Sequence, residues 1–354
     1  MSQTVEGTSN TSLPKQDPSH EPSVSRNGYA DKSAMLRVVY EPIKNELAEV
    51  EAILQRELES DAASVQGLLE HSRLLGGKRL RPVLLLLSAA ACGKIQPAHL
   101  KLAASLEMIH TATLIHDDVL DDAGTRRHMP TANSQWGNKA SVLLGDYLFT
   151  HAFHLATFAE SAPALRFLSY SSNRVCGGEM RQNAWIGNFD LTEEDYLQMI
   201  SDKTAELCSC GCLLGALISG ADEALVERYE SFGRDLGVAF QIIDDILDLI
   251  GQTSEVGKTL GTDLTNRKPT LPVIHCLANL DAKRRNELIG ILERDDVSVE
   301  VVMPYLLSTD SIKYARQTAA QFGTRASQFA QTLPENEYSL ALNDMAAFVL
   351  HRSH

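Results

Sequence analysis

Residues 112–122 read ATLIHDDVLDD, and residues 238–248 read VAFQIIDDILD. In both stretches a largely apolar run ends in the pattern Asp-Asp-x-x-Asp. Residues four apart lie on one face of a helix, so Asp117 and Asp121 point the same way, and the second stretch repeats this spacing. The pattern predicts two helices that each leave an apolar core at a cluster of carboxylates.

Clustered carboxylates repel one another on a helix and are costly to bury unless a cation compensates their charge. Magnesium is the natural cation, because this hard ion binds one or two carboxylates together with substrate phosphates. One cluster alone is more typical of a solvated helix end, whereas two on apolar helices favour a shared site that holds a diphosphate through metal ions. The six aspartates concerned are Asp117, Asp118, Asp121, Asp244, Asp245 and Asp248.

Basic residues lie near both clusters. The loop GGKRLRP at 76–82 puts three cations before a helix start, where free backbone N–H groups and the helix dipole favour phosphate. Arg126 and Arg127 follow the first cluster, and the planar guanidinium group suits phosphate oxygens. The remaining members of this set are Lys203 with Thr204, Lys258 and Lys268.

Polar side chains continue the two acidic faces. His110 lies seven residues before Asp117, within about 20° of the same helical face, and Gln241 lies on the side of Asp244. Taken alone, His110 is equally typical of a hydrogen-bonded core histidine. Together, polar residues on otherwise apolar helices predict a lined cavity.

Apolar residues recur at three- and four-residue spacing from Met35 onward, without the alternation that predicts strands. Residues 1–33 are rich in Ser, Thr, Pro, Asn and Gln and predict a disordered tail, because so few apolar side chains cannot offset the entropy of ordering. Residues 34–354 are therefore expected to form one all-α domain. Thr192 and Asp195 form a capping-box pattern that predicts a helix start.

Composition argues against several classes of protein. The chain has 32 Lys and Arg against 46 Asp and Glu, a net charge of −14 that disfavours a nucleic-acid-binding surface. Six cysteines are too few for a disulfide scaffold, so Cys208, Cys210 and Cys212 are expected to be buried, reduced thiols. No apolar run reaches the roughly 20 residues of a membrane span, and no signal peptide or Arg-rich presequence is recognised, so a cytoplasmic location is expected.

The order and spacing of these motifs resemble those of the trans-prenyltransferase family, which comprises farnesyl, geranylgeranyl and longer polyprenyl diphosphate synthases. The resemblance covers residues 40–352. Its motifs are GGKRLRP at 76–82, HTATLIHDDVLDDAGTRRHMPTAN at 110–133, WG at 136–137, GDYL at 145–148, GGEM at 177–180, KTAEL at 203–207, FQIIDDILD at 240–248, GKTLGTDL at 257–264 and KPTLP at 268–272.

The resemblance implies an isoprenoid synthase type I fold, a bundle of antiparallel helices around a deep central cavity, usually as a homodimer. It implies that the six aspartates hold three Mg²⁺ ions on the allylic diphosphate. Residues expected to bind that diphosphate are Arg126, Lys203, Lys258 and Lys268. Residues expected to bind isopentenyl diphosphate are Lys78, Arg81, His110 and Arg127. Lys203, Thr204 and Gln241 are expected to act in catalysis, the last two along the path of the developing carbocation.

The expected reaction is head-to-tail, all-trans condensation of isopentenyl diphosphate with an allylic prenyl diphosphate. In this family bulky residues four and five positions before the first aspartate stop the chain early, and here these positions hold Thr113 and Ala112, which are small. A medium or long product, hexaprenyl to decaprenyl, is therefore favoured, with Met108 or residues of the next helix as the floor. Peripheral membrane contact during product release is also expected.

Other interpretations remain open from the sequence. A plug elsewhere in the cavity would give a geranylgeranyl or farnesyl product. A terpene cyclase or head-to-head enzyme usually lacks the second acidic motif and the GGKRLRP loop, both of which are intact. A non-catalytic subunit typically loses aspartates from one cluster, whereas the catalytic subunit of a heterodimer would keep them.

Overall fold

The computed structural model describes residues 32–75, 77–126, 129–251 and 260–351. Within these ranges the chain is helical almost throughout. The strands found there are two-residue segments, β1 (Thr125–Arg126) and β2 (Met129–Pro130), which pair antiparallel just after the first acidic cluster. The all-α class predicted from the sequence is confirmed.

The helices follow one another with short connections. They are α1 (Lys32–Tyr40), α2 (Lys44–Glu57), α3 (Ala63–Leu74), α4 (Leu80–Cys92), α5 (Pro97–Leu120), α6 (Ala132–Thr157), α7 (Ala162–Ala184), α8 (Glu193–Ile200), α9 (Glu206–Ile218), α10 (Glu223–Ile250), α11 (Thr262–Thr265), α12 (Leu271–Asn279), α13 (Ala282–Leu292), α14 (Val299–Ser308), α15 (Ser311–Ala330) and α16 (Glu337–His351). A 3-10 turn, Glu41–Ile43, joins α1 to α2, and a π-helical turn, Ser201–Ala205, joins α8 to α9.

Two helices, α4 and α9, form the middle of the bundle. Every residue of α4 from Pro82 to Ala90 is buried, as is every residue of α9 from Glu206 to Ala216. The helices approach closely because a Cβ atom at Gly215 would overlap the carbonyl oxygen of Leu85. Around this pair, α5 packs chiefly on α6, and α10 packs on α9 and α15. The two helices that carry the acidic clusters, α5 and α10, therefore flank the same buried centre.

Several details of the sequence interpretation can be compared with the structure. The capping box is confirmed, since Thr192 accepts from the Asp195 N–H and Asp195 accepts from the Thr192 N–H at the start of α8. Cys208, Cys210 and Cys212 are buried free thiols, and burial raises the pKa of Cys210 to about 12. Helix α1 begins at Lys32 and so includes the last two residues of the expected tail, while residues 1–31 lie outside the described residues.

In the ranges that the structure describes, none of the helices is both long enough and apolar enough to cross a bilayer.

The start of α5 is fixed by a buried histidine. Pro97 occupies the first turn, the Gln96 N–H donates to His99 Nδ1 at 2.9 Å, and His99 Nε2 lies 3.2 Å from the carbonyl oxygen of Gly215 in α9. Since a backbone N–H can only donate, the ring must be neutral with its proton on Nε2. Burial lowers the pKa of His99 below its ordinary value of about 6.5.

We expect acid to destabilise the fold through His99. The unfolded ring takes up a proton near pH 6.5 while the folded ring stays neutral, so this contribution to the free energy of unfolding is present above pH 6.5 and declines as the pH falls toward 5.5. Urea titrations between pH 7.5 and 5.5 measure the slope. His99→Asn keeps an acceptor for the Gln96 N–H and removes the titrating ring, so its slope should be shallower, and an unchanged slope would contradict the assignment.

Candidate active site

The first acidic cluster lies where α5 ends. Asp118 is buried, with 1% of its surface exposed, and Asp117 is half-buried. Asp121 follows the last residue of α5, and its N–H still donates to the carbonyl oxygen of Asp117 at 2.9 Å. Within one turn at the end of α5, the exposure of these side chains therefore increases from the buried Asp118 to the exposed Asp121.

Each of these three aspartates meets a basic residue from a different part of the chain. Arg126 donates to Asp118 Oδ1 from Nε at 2.8 Å, and its Nη2 is also 2.8 Å from that oxygen. Lys268 donates to both oxygens of Asp121, at 2.7 and 2.9 Å. Lys203 Nζ lies 3.6 Å from Asp117 Oδ2. Three of the cations expected to bind the allylic diphosphate are therefore brought to the first cluster.

The second cluster lies near the end of α10. Tyr196 donates to Asp245 Oδ2 at 2.6 Å, and Gln241 donates to Asp245 Oδ1 at 2.7 Å. Asp245 is 5% exposed, and burial together with the charge of Asp263 raises its pKa well above its usual range. Both carboxylate oxygens of Asp245 are thus held by donors from the protein.

Asp248 and Asp244 complete the second cluster. The carboxylate of Asp248 accepts from the N–H groups of Thr262 and Asp263, at 3.3 and 3.1 Å, and so links α10 to the start of α11. Lys268 follows α11, and its own N–H donates to the Asp263 carbonyl oxygen at 2.8 Å. Asp244 is half-buried on the same helix. The backbone after the second cluster therefore carries Lys268 across to the first.

Lys203 and Thr204, adjacent in sequence, link the first cluster to the second, which Thr204 reaches through Gln241. Lys203 contacts Asp117, while the hydroxyl of the next residue, Thr204, donates to Gln241 Oε1 at 2.9 Å. Gln241 in turn donates to Asp245. Both Lys203 and Thr204 lie in the π-helical turn, and π-turns are frequent at functional sites.

Two residues of α7 that sequence reasoning did not single out also hold Lys203. Its ammonium group donates to Gln182 Oε1 at 2.6 Å and pairs with Glu179. Burial by itself would lower the pKa of Lys203, but the nearby carboxylates of Asp117 and Glu179 raise it by more than burial lowers it. The ammonium form is therefore favoured. Burial and Asp117 raise the pKa of Glu179. Glu179 lies in the GGEM motif at 177–180, which is visible in the sequence. The sequence analysis did not identify Glu179 as a partner of Lys203.

Asp202 is a further residue that the sequence analysis missed. It is 6% exposed and accepts hydrogen bonds from Arg174 and Arg181 of α7 and from Gln198 of α8. A Cβ atom at Gly178 would lie 2.6 Å from the Lys203 backbone nitrogen, so α7 and the π-turn are in close contact. These interactions hold the backbone from which Lys203 and Thr204 project.

The residues expected to bind isopentenyl diphosphate are less completely assembled. Lys78 Nζ lies 5.3 Å from the centroid of the Phe348 ring in α16. Arg81 is half-buried at the start of α4, and its charge lowers the pKa of the Cys208 thiol, although burial raises that pKa overall. His110 is half-buried on α5. Arg127 and Lys258 lie outside the described residues.

The residues expected to set chain length occupy different environments. Thr113 is half-buried one turn before Asp117, and Ala112 is fully buried. Met108 lies nine residues before Asp117, about half a rotation around α5, and so on the opposite side of the helix. There it lines a cavity of about 450 Å³ with Leu54, Leu58, Thr111 and Leu148, among others. Met108 lies four residues before Ala112 and so shares a face of α5 with it, and its part in setting chain length stays a prediction.

The donors at this site fit a hard divalent cation. Carboxylate oxygens are the ligands that magnesium prefers, and the two clusters supply six aspartates. Across the described ranges, no group of three or more acidic, histidine or cysteine side chains stands at metal-holding distances. Asp117, Asp118 and Asp121 instead pair with Lys203, Arg126 and Lys268. A cation held by these carboxylates would have to replace the ammonium groups of Lys203 and Lys268 and the guanidinium group of Arg126.

The all-helical bundle brings together two acidic clusters, and basic side chains pair with the first of them. Such a site is typical of proteins that hold a polyanion, such as a diphosphate, together with metal ions. The family model described as "Polyprenyl synthetase" matches residues 63–308, and the chain belongs to that family.

Named relatives and solved structures agree with this family. The octaprenyl diphosphate synthase of Escherichia coli (strain K12) is 34% identical over 319 residues, 90% of this chain and 99% of that protein. The crystal structure of a decaprenyl diphosphate synthase from Rhodobacter capsulatus has a TM-score of 0.85 at 36% identity, covering 90% of this chain and 99% of that one. A polyprenyl synthase from Caulobacter crescentus CB15, complexed with calcium and isoprenyl diphosphate, has a TM-score of 0.84 at 33% identity, covering 90% and 98%.

We expect Tyr196→Phe to lower the free energy of unfolding by about 1–3 kcal/mol, because it leaves Oδ2 of the buried Asp245 without its 2.6 Å donor. Urea denaturation measures the change. Tyr305→Phe is the matched control, since its ring stacks against Arg284 and that contact survives loss of the hydroxyl. Equal stability of the two variants would contradict a structural role for the Tyr196 hydroxyl.

Proposed function

We propose that this chain is a trans-prenyltransferase that condenses isopentenyl diphosphate head-to-tail with an allylic prenyl diphosphate, giving an all-trans polyprenyl diphosphate of medium or long chain. One observation carries the proposal: Lys203 and Thr204, adjacent in sequence, join the acidic clusters of α5 and α10 into one site. The names of the relatives, octaprenyl and decaprenyl diphosphate synthases, support the same reaction and the longer product.

Lys203, Arg126 and Lys268 bind the allylic diphosphate in this proposal. Each already contacts a carboxylate of the first cluster, so each exchanges that partner for a diphosphate oxygen when substrate and cation enter. Glu179 and Gln182 keep the Lys203 ammonium group directed at the site during the exchange. Charge-assisted donors fixed in advance lower the energy of the negative charge that develops on the leaving diphosphate as the allylic C–O bond breaks.

Magnesium is the metal we infer, with Asp117, Asp118, Asp121, Asp244, Asp245 and Asp248 as the residues that would hold it. The calcium found with isoprenyl diphosphate in the Caulobacter crescentus relative supports a divalent cation beside the substrate. Bound there, Mg²⁺ would supply positive charge that favours departure of the diphosphate. Three ions, the number expected from the family resemblance, stay a prediction.

The remaining chemistry needs few side chains. The hydroxyl of Thr204 and the amide of Gln241 are fixed to each other at 2.9 Å and line the path of the allylic cation. The double bond of isopentenyl diphosphate, held by Lys78, Arg81, His110 and Arg127, attacks that cation. The proton lost from the new intermediate goes to the diphosphate just released, so no side chain is assigned the role of base. Exclusion of water protects the cation until the new bond has formed.

Product length depends on the space below the first cluster. Thr113 and Ala112 leave that side of α5 without a bulky plug, which favours hexaprenyl to decaprenyl products over farnesyl or geranylgeranyl. Met108, four residues before Ala112 on α5, or residues of the next helix would form the floor of this space. The prenyl tail of such a product is insoluble in water, so we propose that the product is released at a membrane surface. A cytoplasmic location is a separate part of the proposal. Co-sedimentation with lipid vesicles after turnover would test the membrane contact.

The reaction is tested by incubating the purified chain with farnesyl diphosphate, isopentenyl diphosphate and Mg²⁺, followed by chromatography of the products. We expect a ladder ending at one long polyprenyl diphosphate. EDTA and Asp117→Ala should each abolish it, because EDTA removes Mg²⁺ and the substitution removes a carboxylate that would hold it, so positive charge that would stabilise the leaving diphosphate is lost. Asp235→Asn changes a carboxylate on α10 outside the cluster, paired with Arg325, and should retain the ladder.

The product pattern distinguishes the alternatives. A product that stops at geranylgeranyl diphosphate would keep the chemistry and exclude the long chain. Absence of product with every allylic primer would contradict a self-sufficient synthase and favour the subunit of a heterodimer.

We further infer that two copies of the chain form a homodimer through α6 and α7. Large apolar side chains are exposed along these helices: Leu143 (68%) and Tyr147 on α6, Phe158 directly after it, and Tyr170 and Met180 on α7. The residues on α6 follow helical spacing, and an exposed apolar stripe of this length marks an interaction surface. Continuity of the stripe across two neighbouring helices favours a self-complementary interface.

Leu143→Glu should convert the dimer to a monomer, because it buries a charge in the apolar interface. Light scattering after size-exclusion chromatography measures the mass. Leu307→Glu is the matched control, since Leu307 is 65% exposed on α14, away from the stripe, and this variant should stay dimeric. A monomeric wild-type protein, or the same mass for both variants, would contradict the interface.

A further inference from the structure

Arg79 adopts a conformation that side chains rarely take. It lies just before α4, between Lys78 and Arg81, with φ 51° and ψ 33° in the left-handed region. A non-glycine residue held there is strained, because Cβ approaches the following carbonyl group. The surrounding structure must therefore hold Arg79 in place.

The guanidinium group of Arg79 ties together three helices. Its Nε and Nη2 donate to the two carboxylate oxygens of Glu51 in α2, the latter at 3.1 Å, and its Nη1 donates to Glu107 Oε1 in α5 at 3.0 Å. The Glu107 side chain is 3% exposed and that of Arg79 is 15% exposed. Burial alone would lower the pKa of Arg79, but the carboxylates of Glu51 and Glu107 raise it by more than burial lowers it. The side chain therefore stays charged.

The same loop is anchored at the preceding residue. The hydroxyl of Tyr40 donates to the Lys78 carbonyl oxygen at 2.5 Å, which fixes the backbone on the other side of Arg79. Glu107 lies ten residues before Asp117 on α5, about 15 Å along the helix axis. The contact from Arg79 to Glu107 thus sets the position of the loop relative to the first acidic cluster.

The three positive charges of this loop are directed at different partners. Lys78, Arg79 and Arg81 place three positive charges within four residues, where they repel one another. The donors of Arg79 are directed at Glu51 and Glu107, so its charge is neutralised within the protein. The left-handed turn directs the Arg79 side chain away from the loop toward α2 and α5, whereas Lys78 and Arg81 are the residues that we propose bind a diphosphate.

We propose that Arg79 is a positioning residue for isopentenyl diphosphate, acting through Glu51 and Glu107 on Lys78 and Arg81. This inference rests on the proposed function, because it takes isopentenyl diphosphate as the ligand of the loop. Arg79 itself touches no substrate. Its loss therefore weakens one substrate selectively, since the allylic diphosphate is bound by Arg126, Lys203 and Lys268 on other elements.

Arg79→Lys and Arg79→Gly test the proposal by steady-state kinetics with each substrate varied in turn. Lysine keeps one charge but cannot bond Glu51 and Glu107 together. Glycine accepts the left-handed backbone and removes both ion pairs. We expect KM for isopentenyl diphosphate to rise about tenfold, equal to about 1.4 kcal/mol. KM for farnesyl diphosphate should stay within about twofold.

Arg325→Lys is the matched control. Arg325 also donates from Nε and Nη2 to the two oxygens of one carboxylate, Asp235, and so links α15 to α10 away from the loop. This variant should leave both KM values unchanged. Melting temperatures of all variants separate a general loss of stability from a change confined to one substrate.

Each outcome decides the proposal. Equal rises of both KM values, or a lower melting temperature with unchanged KM for isopentenyl diphosphate, would overturn it. If the wild-type protein forms no product, the proposed function fails, and calorimetric titration of isopentenyl diphosphate into the wild type and Arg79→Gly decides the inference instead. Weaker binding by the variant supports it, while equal binding, or none by either protein, overturns it.

Discussion

Lys203 contacts Asp117 and Glu179, while the neighbouring Thr204 donates to Gln241, which donates to Asp245. This short path joins the carboxylates of two helices that both flank the buried centre of the bundle. Carboxylates confined in this way raise the energy of the fold unless cations and hydrogen-bond donors compensate them. The compensation comes from other elements, so the site forms only once α5, α7, α10 and the π-turn have packed together.

The same compensation explains why so many basic residues near the site are committed in pairs. Arg126 and Lys268 hold Asp118 and Asp121, and Arg174 with Arg181 holds Asp202 beside Lys203. A diphosphate with divalent cations carries both signs of charge, so it can replace these pairs without leaving a buried charge alone. In the proposed function, substrate and metal binding is an exchange of partners within this network.

Much of this arrangement was accessible from the sequence because its signals are local. Helical periodicity predicts the all-α fold, and the spacing Asp-Asp-x-x-Asp predicts which carboxylates share a face, as with Asp117 and Asp121. Glu179, Gln182 and Asp202 were missed because their roles depend on how α7 packs against the π-turn, which no spacing within one helix reveals. Arg79 was grouped with Lys78 and Arg81 as a cation of the loop, because a left-handed turn that redirects one side chain leaves no mark in composition. The floor of the cavity, with Met108 or residues of the next helix as candidates, stays a prediction, because it depends on side chains that several helices contribute.

Helix α8, the turn Ser201–Ala205 and α9 run on from Glu193 to Ile218 without a break. A π-turn accommodates one residue more than an α-helical turn, so side chains after it are rotated by about 100° relative to an uninterrupted helix. Tyr196 before the turn is aligned with Asp245, and Gly215 after it is aligned with α4. Deletion of a single residue between 201 and 205 would restore regular helical bonding and bring one of these two faces out of alignment. Chain length in this segment is consequently constrained as tightly as residue identity, and insertions and deletions should be tolerated far less there than in the connections between the outer helices.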